Sequence, residues 1–206
     1  MATRVKFCGI TREQDLCYAA DLGVHAIGFV FCPESPRVVD VQQAHALSRL
    51  CPPFISRVGL FMNQDASTIQ KVMQQVELDM LQFHGQEEER FCASFNMPYI
   101  KSVAMGGDAA AITQHYQTAT ALLLDSNELG QAGGSGKLFD WDKIPQDMEQ
   151  LVILAGGLNP ANVAEAVINV RPYAVDVSSG IESSKGIKDQ QKMKKFIQAV
   201  RVADEC

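Results

Sequence analysis

The chain has 206 residues, 47% hydrophobic and 20% charged, with a formal net charge of −6 and a pI near 5.2. That length suits one domain with a sizeable core, and the acidic balance excludes a broad nucleic-acid surface, which needs clustered Lys and Arg. An anionic small molecule remains compatible, because a local arginine or a set of backbone N–H groups binds anions against the overall charge.

Eight short runs rich in β-branched or aromatic residues read as strands. The first, 4–8 (RVKFC), ends in Phe7-Cys8-Gly9. Thr11 and Gln14 then form a capping-box pattern that predicts a helix through Leu22, with Gly23 as its stop. Strand two, 25–31 (HAIGFVF), leads into a loop stiffened by Pro33 and Pro36 that ends at Arg37. Strand three, 56–61 (SRVGLF), precedes an apolar stripe of Ala66, Ile69, Val72, Met73 and Val76 at helical spacing. Strands four and five are 79–83 (DMLQF) and 99–104 (YIKSVA).

Strand six, 121–124 (ALLL), runs into Asp125. The longest connection follows, 126–140, with Gly130, Gly133, Gly134 and Gly136. A loop of that length in a compact fold is more often functional than idle, and Trp141 reads as its packing anchor. Strand seven, 151–155 (LVILA), ends in Gly156-Gly157. Asn159-Pro160 then reads as an N-cap and first helical residue, with Val163, Ala166, Val167 and Val170 on one face. Strand eight, 173–177 (YAVDV), ends in Ser178-Ser179-Gly180. The last helix carries Met193, Phe196, Ile197 and Val200, with Lys192, Lys194 and Lys195 on its wet side.

Several of these runs are near-continuously apolar, as strands buried on both faces of a parallel sheet are. Eight such strands alternating with a similar number of helices predict a single (β/α)8 TIM barrel of eight parallel strands over residues 1–206. An open doubly wound sheet is the alternative, but no G-x-G-x-x-G follows strand one. No apolar stretch approaches the ~20 residues of a membrane span. The start, Met1 to Lys6, has no signal-peptide pattern. A cytoplasmic protein with no membrane attachment is therefore expected. Cys8, Cys17, Cys32, Cys51, Cys92 and Cys206 show no C-x-x-C spacing, so no metal or redox motif is read from them and most are expected to be reduced, buried small hydrophobes.

In a parallel barrel the strand ends share one mouth. Cys8 at that mouth is a candidate base, if local positive charge or N–H donors favour the thiolate. Lys6 is near in sequence, but position alone does not show that it helps. Asp125 is a candidate general acid, since a glycine-rich loop rather than a helix follows it and weakens the reading as an N-cap. Arg37 can hold a substrate carboxylate through a bidentate pair. Gly156, Gly157, Ser178, Ser179 and Gly180 follow strands seven and eight, where barrels commonly bind phosphate. His84 is either a structural histidine or part of the pocket wall. Asp176 is either a polar plug or a substrate hydroxyl partner.

Several ordered segments resemble the phosphoribosylanthranilate isomerase family over essentially the whole chain. They are Lys6–Thr11, Ser35-Pro36-Arg37 with Val39, Gly59–Asn63, Leu81–Gly85, Asp125, Gly133–Gly136 with Phe139-Asp140-Trp141, Leu154–Val163 and Val175–Glu182. Met62 and Phe83 are conservative departures. The resemblance implies an Amadori rearrangement of N-(5-phosphoribosyl)anthranilate to 1-(2-carboxyphenylamino)-1-deoxyribulose 5-phosphate in tryptophan biosynthesis, an intramolecular aldose–ketose oxidoreduction. It implies Asp125 as general acid and Cys8 as general base, with Arg37 on the anthranilate carboxylate. The loops after strands seven and eight would take the phosphate, with His84 and Asp176 in support. It implies no metal and no organic cofactor, because the iminium is itself the electron sink. The partner is then the small-molecule substrate, and a neighbouring pathway enzyme is a candidate contact. Two rival readings stand beside it. One is the related aminoaldose isomerisation of histidine biosynthesis, which fits poorly because strand one offers Cys8 where that family uses aspartate. The other is a non-catalytic phosphate-binding barrel, which would need neither Cys8 nor Asp125.

Overall fold

All eight apolar runs become strands, and because both faces of each are covered they pair in parallel and close into a ring. The structure is a computed structural model that describes residues 2–105, 115–125, 144 and 150–206. The strands are β1 (Arg4–Cys8), β2 (Ala26–Val30), β3 (Ser56–Phe61), β4 (Met80–Phe83), β5 (Tyr99–Ala104), β6 (Ala121–Asp125), β7 (Leu151–Leu154) and β8 (Ala174–Val177). Each pairs with its chain neighbour, and β1 closes the barrel on β8 with Lys6 opposite Asp176. The expected (β/α)8 barrel is the observed one, and no strand limit departs from expectation by more than one residue.

The described residues hold helices α1 (Glu13–Asp21), α2 (Val41–Leu50), α3 (Ala66–Gln75), α4 (Glu89–Ala93), α5 (Val163–Val170) and α6 (Gln190–Asp204). The glycine-rich connection with Gly133, Gly134 and Gly136, and Trp141, lie outside the described residues. Aspartates start three of the helices. Asp40, Asp65 and Asp189 accept hydrogen bonds from the backbone N–H groups of Gln43, Thr68 and Lys192 at 2.7, 2.9 and 2.9 Å. Such caps are worth about 1 kcal/mol each. α6 buries Met193, Phe196, Ile197 and Val200 as expected, and Phe196 meets Phe7 of β1 edge to face at 6.1 Å.

Two expected helix starts are corrected. The N-cap of α1 is Arg12, with no side-chain cap. The Thr11 hydroxyl instead donates to the Gly186 carbonyl at 2.6 Å, a contact with a distant loop that replaces the capping box. Gly23, at φ +76°, does follow the end of α1. The N-cap of α5 is Asn162 rather than Asn159. The Asn159 side chain accepts from the Ala161 N–H at 2.8 Å, which builds a turn around Pro160 that delays the helix. The cysteine expectation also fails in part: all six are free, but only Cys8, Cys32 and Cys92 are buried.

Alternation sorts the strand side chains between two environments. Phe7, Ile27, Phe61, Leu81, Leu122 and Leu154 face the helices and form the main core. Val58, Ile100, Leu123, Ile153 and Ala174 fill the floor of the barrel interior. Period two then aims Lys6, Cys8, Gln82 and Asp125 inward and toward the C-terminal mouth. One element was not anticipated. After β8 a short turn (Ser179–Ile181) leads into an antiparallel hairpin of β9 (Glu182–Ser184) and β10 (Ile187–Lys188).

Candidate active site

The strand ends converge on one pocket at the mouth, enclosing about 770 Å³ counted out to solvent. Of the residues singled out by sequence, Cys8, Arg37, His84, Asp125, Asp176, Gly156, Gly157, Ser178 and Ser179 all line it. Gly180 lies just behind, in the turn that continues from Ser179.

Cys8 is 5% exposed at the end of β1. Burial pushes its thiol above the ordinary range, and Asp176 pushes the same way, while the ammonium groups of Lys6 and Lys188 pull it down. Lys6 sits two residues back on the same face and donates to Asp176 Oδ1 at 2.9 Å. Burial works against the Lys6 ammonium, but Asp176 and Cys8 together more than offset it and push Lys6 above its ordinary range. Asp176 is therefore both an internal ion-pair partner and part of the pocket wall.

Asp125 ends β6, three positions from β1 around the ring by way of β8 and β7. It is 7% exposed. His84 Nε2 stands 3.7 Å from Asp125 Oδ2, too long for a hydrogen bond. Burial holds the His84 imidazole below its ordinary range despite Asp125, so it is neutral at neutral pH. The His84 Nδ1 and Gln82 Oε1 atoms are buried with no hydrogen-bond partner among the described residues. Both side chains line the pocket, where a ligand hydroxyl or amine can satisfy them.

The loop after β2 is pinned by the Val39 N–H donating to the Val30 carbonyl at 2.9 Å, which turns Arg37 toward the hairpin. There Arg37 Nε and Nη2 donate to the two carboxylate oxygens of Glu182, each at 2.8 Å. Lys188 Nζ donates to Glu182 Oε1 at 2.9 Å, to the Cys8 carbonyl at 2.7 Å and to the Ser178 carbonyl at 3.2 Å. Burial opposes the Glu182 charge, but Arg37 and Lys188 hold its carboxyl below the ordinary range. Burial pushes the Lys188 ammonium down. Arg37 and Lys188 thus share the Glu182 carboxylate in a buried cluster behind the mouth.

The loops after β7 and β8 are built for close approach. Gly156 and Gly157 take φ of +80° and +67°, which L side chains rarely adopt. At Gly180 a Cβ would overlap the Leu158 carbonyl oxygen, so only glycine lets the two loops touch. Among the described residues none accepts a hydrogen bond from the Gly156 or Gly157 N–H. The Ser178 hydroxyl donates to the Cys8 carbonyl at 3.0 Å, which ties the β8 loop to the end of β1.

Sequence reading missed Glu182 and Lys188, and left Lys6 and Gln82 without roles. Alternation was a signal for the last two: Lys6 shares the face of Cys8, and Gln82 that of His84. Nothing local marks Lys188, whose contacts with Cys8 span 180 residues. Among the described residues no group of three or more His, Cys, Asp or Glu is placed to hold a metal ion, and no helix is long and apolar enough to cross a membrane. Taken together, the pocket offers a carboxyl and a thiol on separate strands and paired glycine loops suited to an anion.

The sequence matches the family model for N-(5'-phosphoribosyl)anthranilate (PRA) isomerase over residues 5–199. It is 50% identical over 202 residues to the N-(5'-phosphoribosyl)anthranilate isomerase of Nitrosococcus oceani, covering 97% of this chain and 98% of that protein. The solved phosphoribosyl anthranilate isomerase of Thermotoga maritima is 37% identical, with a TM-score of 0.89, over 97% of this chain and 99% of that one. A phosphoribosyl anthranilate isomerase solved with reduced 1-(o-carboxyphenylamino)-1-deoxyribulose 5-phosphate is 36% identical, with a TM-score of 0.86, over the same shares.

Proposed function

The chain belongs to the N-(5'-phosphoribosyl)anthranilate isomerase family, enzymes of tryptophan biosynthesis, and from that premise we infer that Asp125 and Cys8 are the acid and base of its Amadori rearrangement. The observation that carries this reading is the single pocket lined by both residues and by the glycine loops after β7 and β8.

The phosphate anchors the substrate at the backbone N–H groups of Gly156, Gly157, Ser179 and Gly180, where fixed dipoles favour negative charge. Arg37 faces the anthranilate carboxylate, its geometry fixed by Glu182. Asp125 gives its proton to the furanose ring oxygen, the C1–O bond breaks, and the nitrogen lone pair forms a protonated Schiff base. The Cys8 thiolate then removes the C2 proton, and the C–H electrons flow into the iminium to give an enolamine. Tautomerisation yields the aminoketose, an isomer of the starting compound. Each proton transfer is worth about 10²–10⁴-fold. His84 is neutral, so it can accept or donate one hydrogen bond on the acid side of the pocket. Asp176 stands between Lys6 and the sugar, as a partner for a substrate hydroxyl.

Purified protein mixed with freshly generated phosphoribosylanthranilate tests the reading. Rapid loss of anthranilate fluorescence, with a product of unchanged mass, is expected. Loss no faster than the spontaneous background would leave a phosphate-binding barrel.

A further inference from the structure

A thiolate at the Cys8 position has almost no water to stabilise it and needs a cation. The charged or titratable groups around it are Lys6 on its own strand, Cys32 and Arg37 after β2, Asp176 on β8 and Lys188 on β10, with His84 and Asp125 across the pocket. Two of the three cations are committed elsewhere. Arg37 is clasped by Glu182, and Lys188 is turned to the Cys8 carbonyl, Ser178 and Glu182.

Lys6 is placed differently. It is 3% exposed and points inward from the same face of β1 as Cys8, one layer deeper. On the facing strand, Gly28 leaves a gap that both side chains border. A Cβ built there would lie 2.8 Å from Cys8 Sγ and 3.2 Å from Lys6 Nζ. The ammonium is fixed at that gap by its 2.9 Å hydrogen bond to Asp176. A residue larger than glycine at position 28 would fill the space through which thiol and ammonium face one another.

We propose that Lys6 is the counter-ion of the Cys8 thiolate, with Asp176 holding the ammonium charged and in place. The proposal deepens the assignment of Cys8 as base and rests on it. Lys6 is a positioning residue: it acts through the thiol, which it faces across the space beside Gly28, and it sets the fraction of Cys8 that is ionised. Asp176 acts on both sides of this balance, since its charge keeps Lys6 protonated and also repels the thiolate.

The test is the pH dependence of Cys8 alkylation by iodoacetamide, followed by mass spectrometry of the Cys8 peptide, in wild type, K6M, K6R, D176N and the double variant K6M/D176N. Lys6→Met should move the midpoint up by at least one unit, a roughly tenfold slower alkylation at pH 8. Lys6→Arg should stay near wild type. Asp176→Asn is the background against which the double variant is read, since it removes the charge that acts on both groups. The double variant, which strands no carboxylate and so keeps the test alive if K6M does not fold, should titrate above D176N. Wild-type titration of Cys8 in K6M, or the same midpoint in K6M/D176N as in D176N, would overturn the proposal. No substrate is used, so this result is separate from whether Cys8→Ser abolishes turnover.

Discussion

Glu182→Gln is the perturbation that links the fold to the pocket most directly. The Glu182 carboxylate is 7% exposed and accepts three charge-assisted hydrogen bonds at 2.8, 2.8 and 2.9 Å. Removing its charge takes from the buried Arg37 guanidinium and Lys188 ammonium the carboxylate that they share. Breaking a buried pair from one side costs about 3–5 kcal/mol, and the retained amide oxygen places this change near the lower end. For a chain of this size 1 kcal/mol corresponds to roughly 2–4 °C in Tm, so the melting temperature should fall by roughly 6–12 °C. Differential scanning calorimetry at neutral pH measures it. The double variant E182Q/K188M removes one stranded cation and should recover part of the loss. A Tm within 2 °C of wild type, or a double variant that loses the sum of the two single effects, would refute the idea that the hairpin cluster is an energetic unit.

Gly180→Ala should force the β7 and β8 loops apart, because the atoms a Cβ meets are backbone. Overpacking of about 1–3 kcal/mol and a raised KM, with inorganic phosphate inhibiting less strongly, are the expected readouts. Arg37→Met should raise KM and also lower Tm, since it strands Glu182; an unchanged KM with a lowered Tm would make Arg37 structural only. The Glu182 carboxyl is depressed in the folded protein, so its contribution is present above the unfolded glutamate value of about 4.3. That contribution is lost as pH falls through the folded value. Acid-side melting curves should show this loss in wild type and a flatter profile in E182Q. The Cys8 thiol is pushed up, so kcat/KM should rise with pH from neutral into the alkaline range. A rate independent of pH there would argue against a thiolate base.

The strands were legible almost to the residue because a strand covered on both faces is mostly apolar, and such runs stand out. Helix starts were less legible, because capping competes with tertiary contacts. Thr11 had the right spacing with Gln14, yet its hydroxyl is taken by Gly186, which lies 175 residues away. The hairpin of β9 and β10 carries polar residues and only two paired positions on β10, too little pattern to read. At the site, residues at strand ends were visible because barrel topology brings strand ends together. Their supports were not: Glu182 stood inside a quoted motif without a role, and Lys188 reaches Cys8 only once the chain has closed on itself. Buried charge is hard to anticipate from sequence, since Lys and Glu are mostly surface residues.

The acid–base pair is tested most directly by steady-state kinetics of Cys8→Ser and Asp125→Asn on phosphoribosylanthranilate. Each group acts in a transition state, so kcat should fall about 10²–10⁴-fold in either variant while KM barely moves. Near-normal turnover by either folded variant would remove that residue from the mechanism and contradict the account.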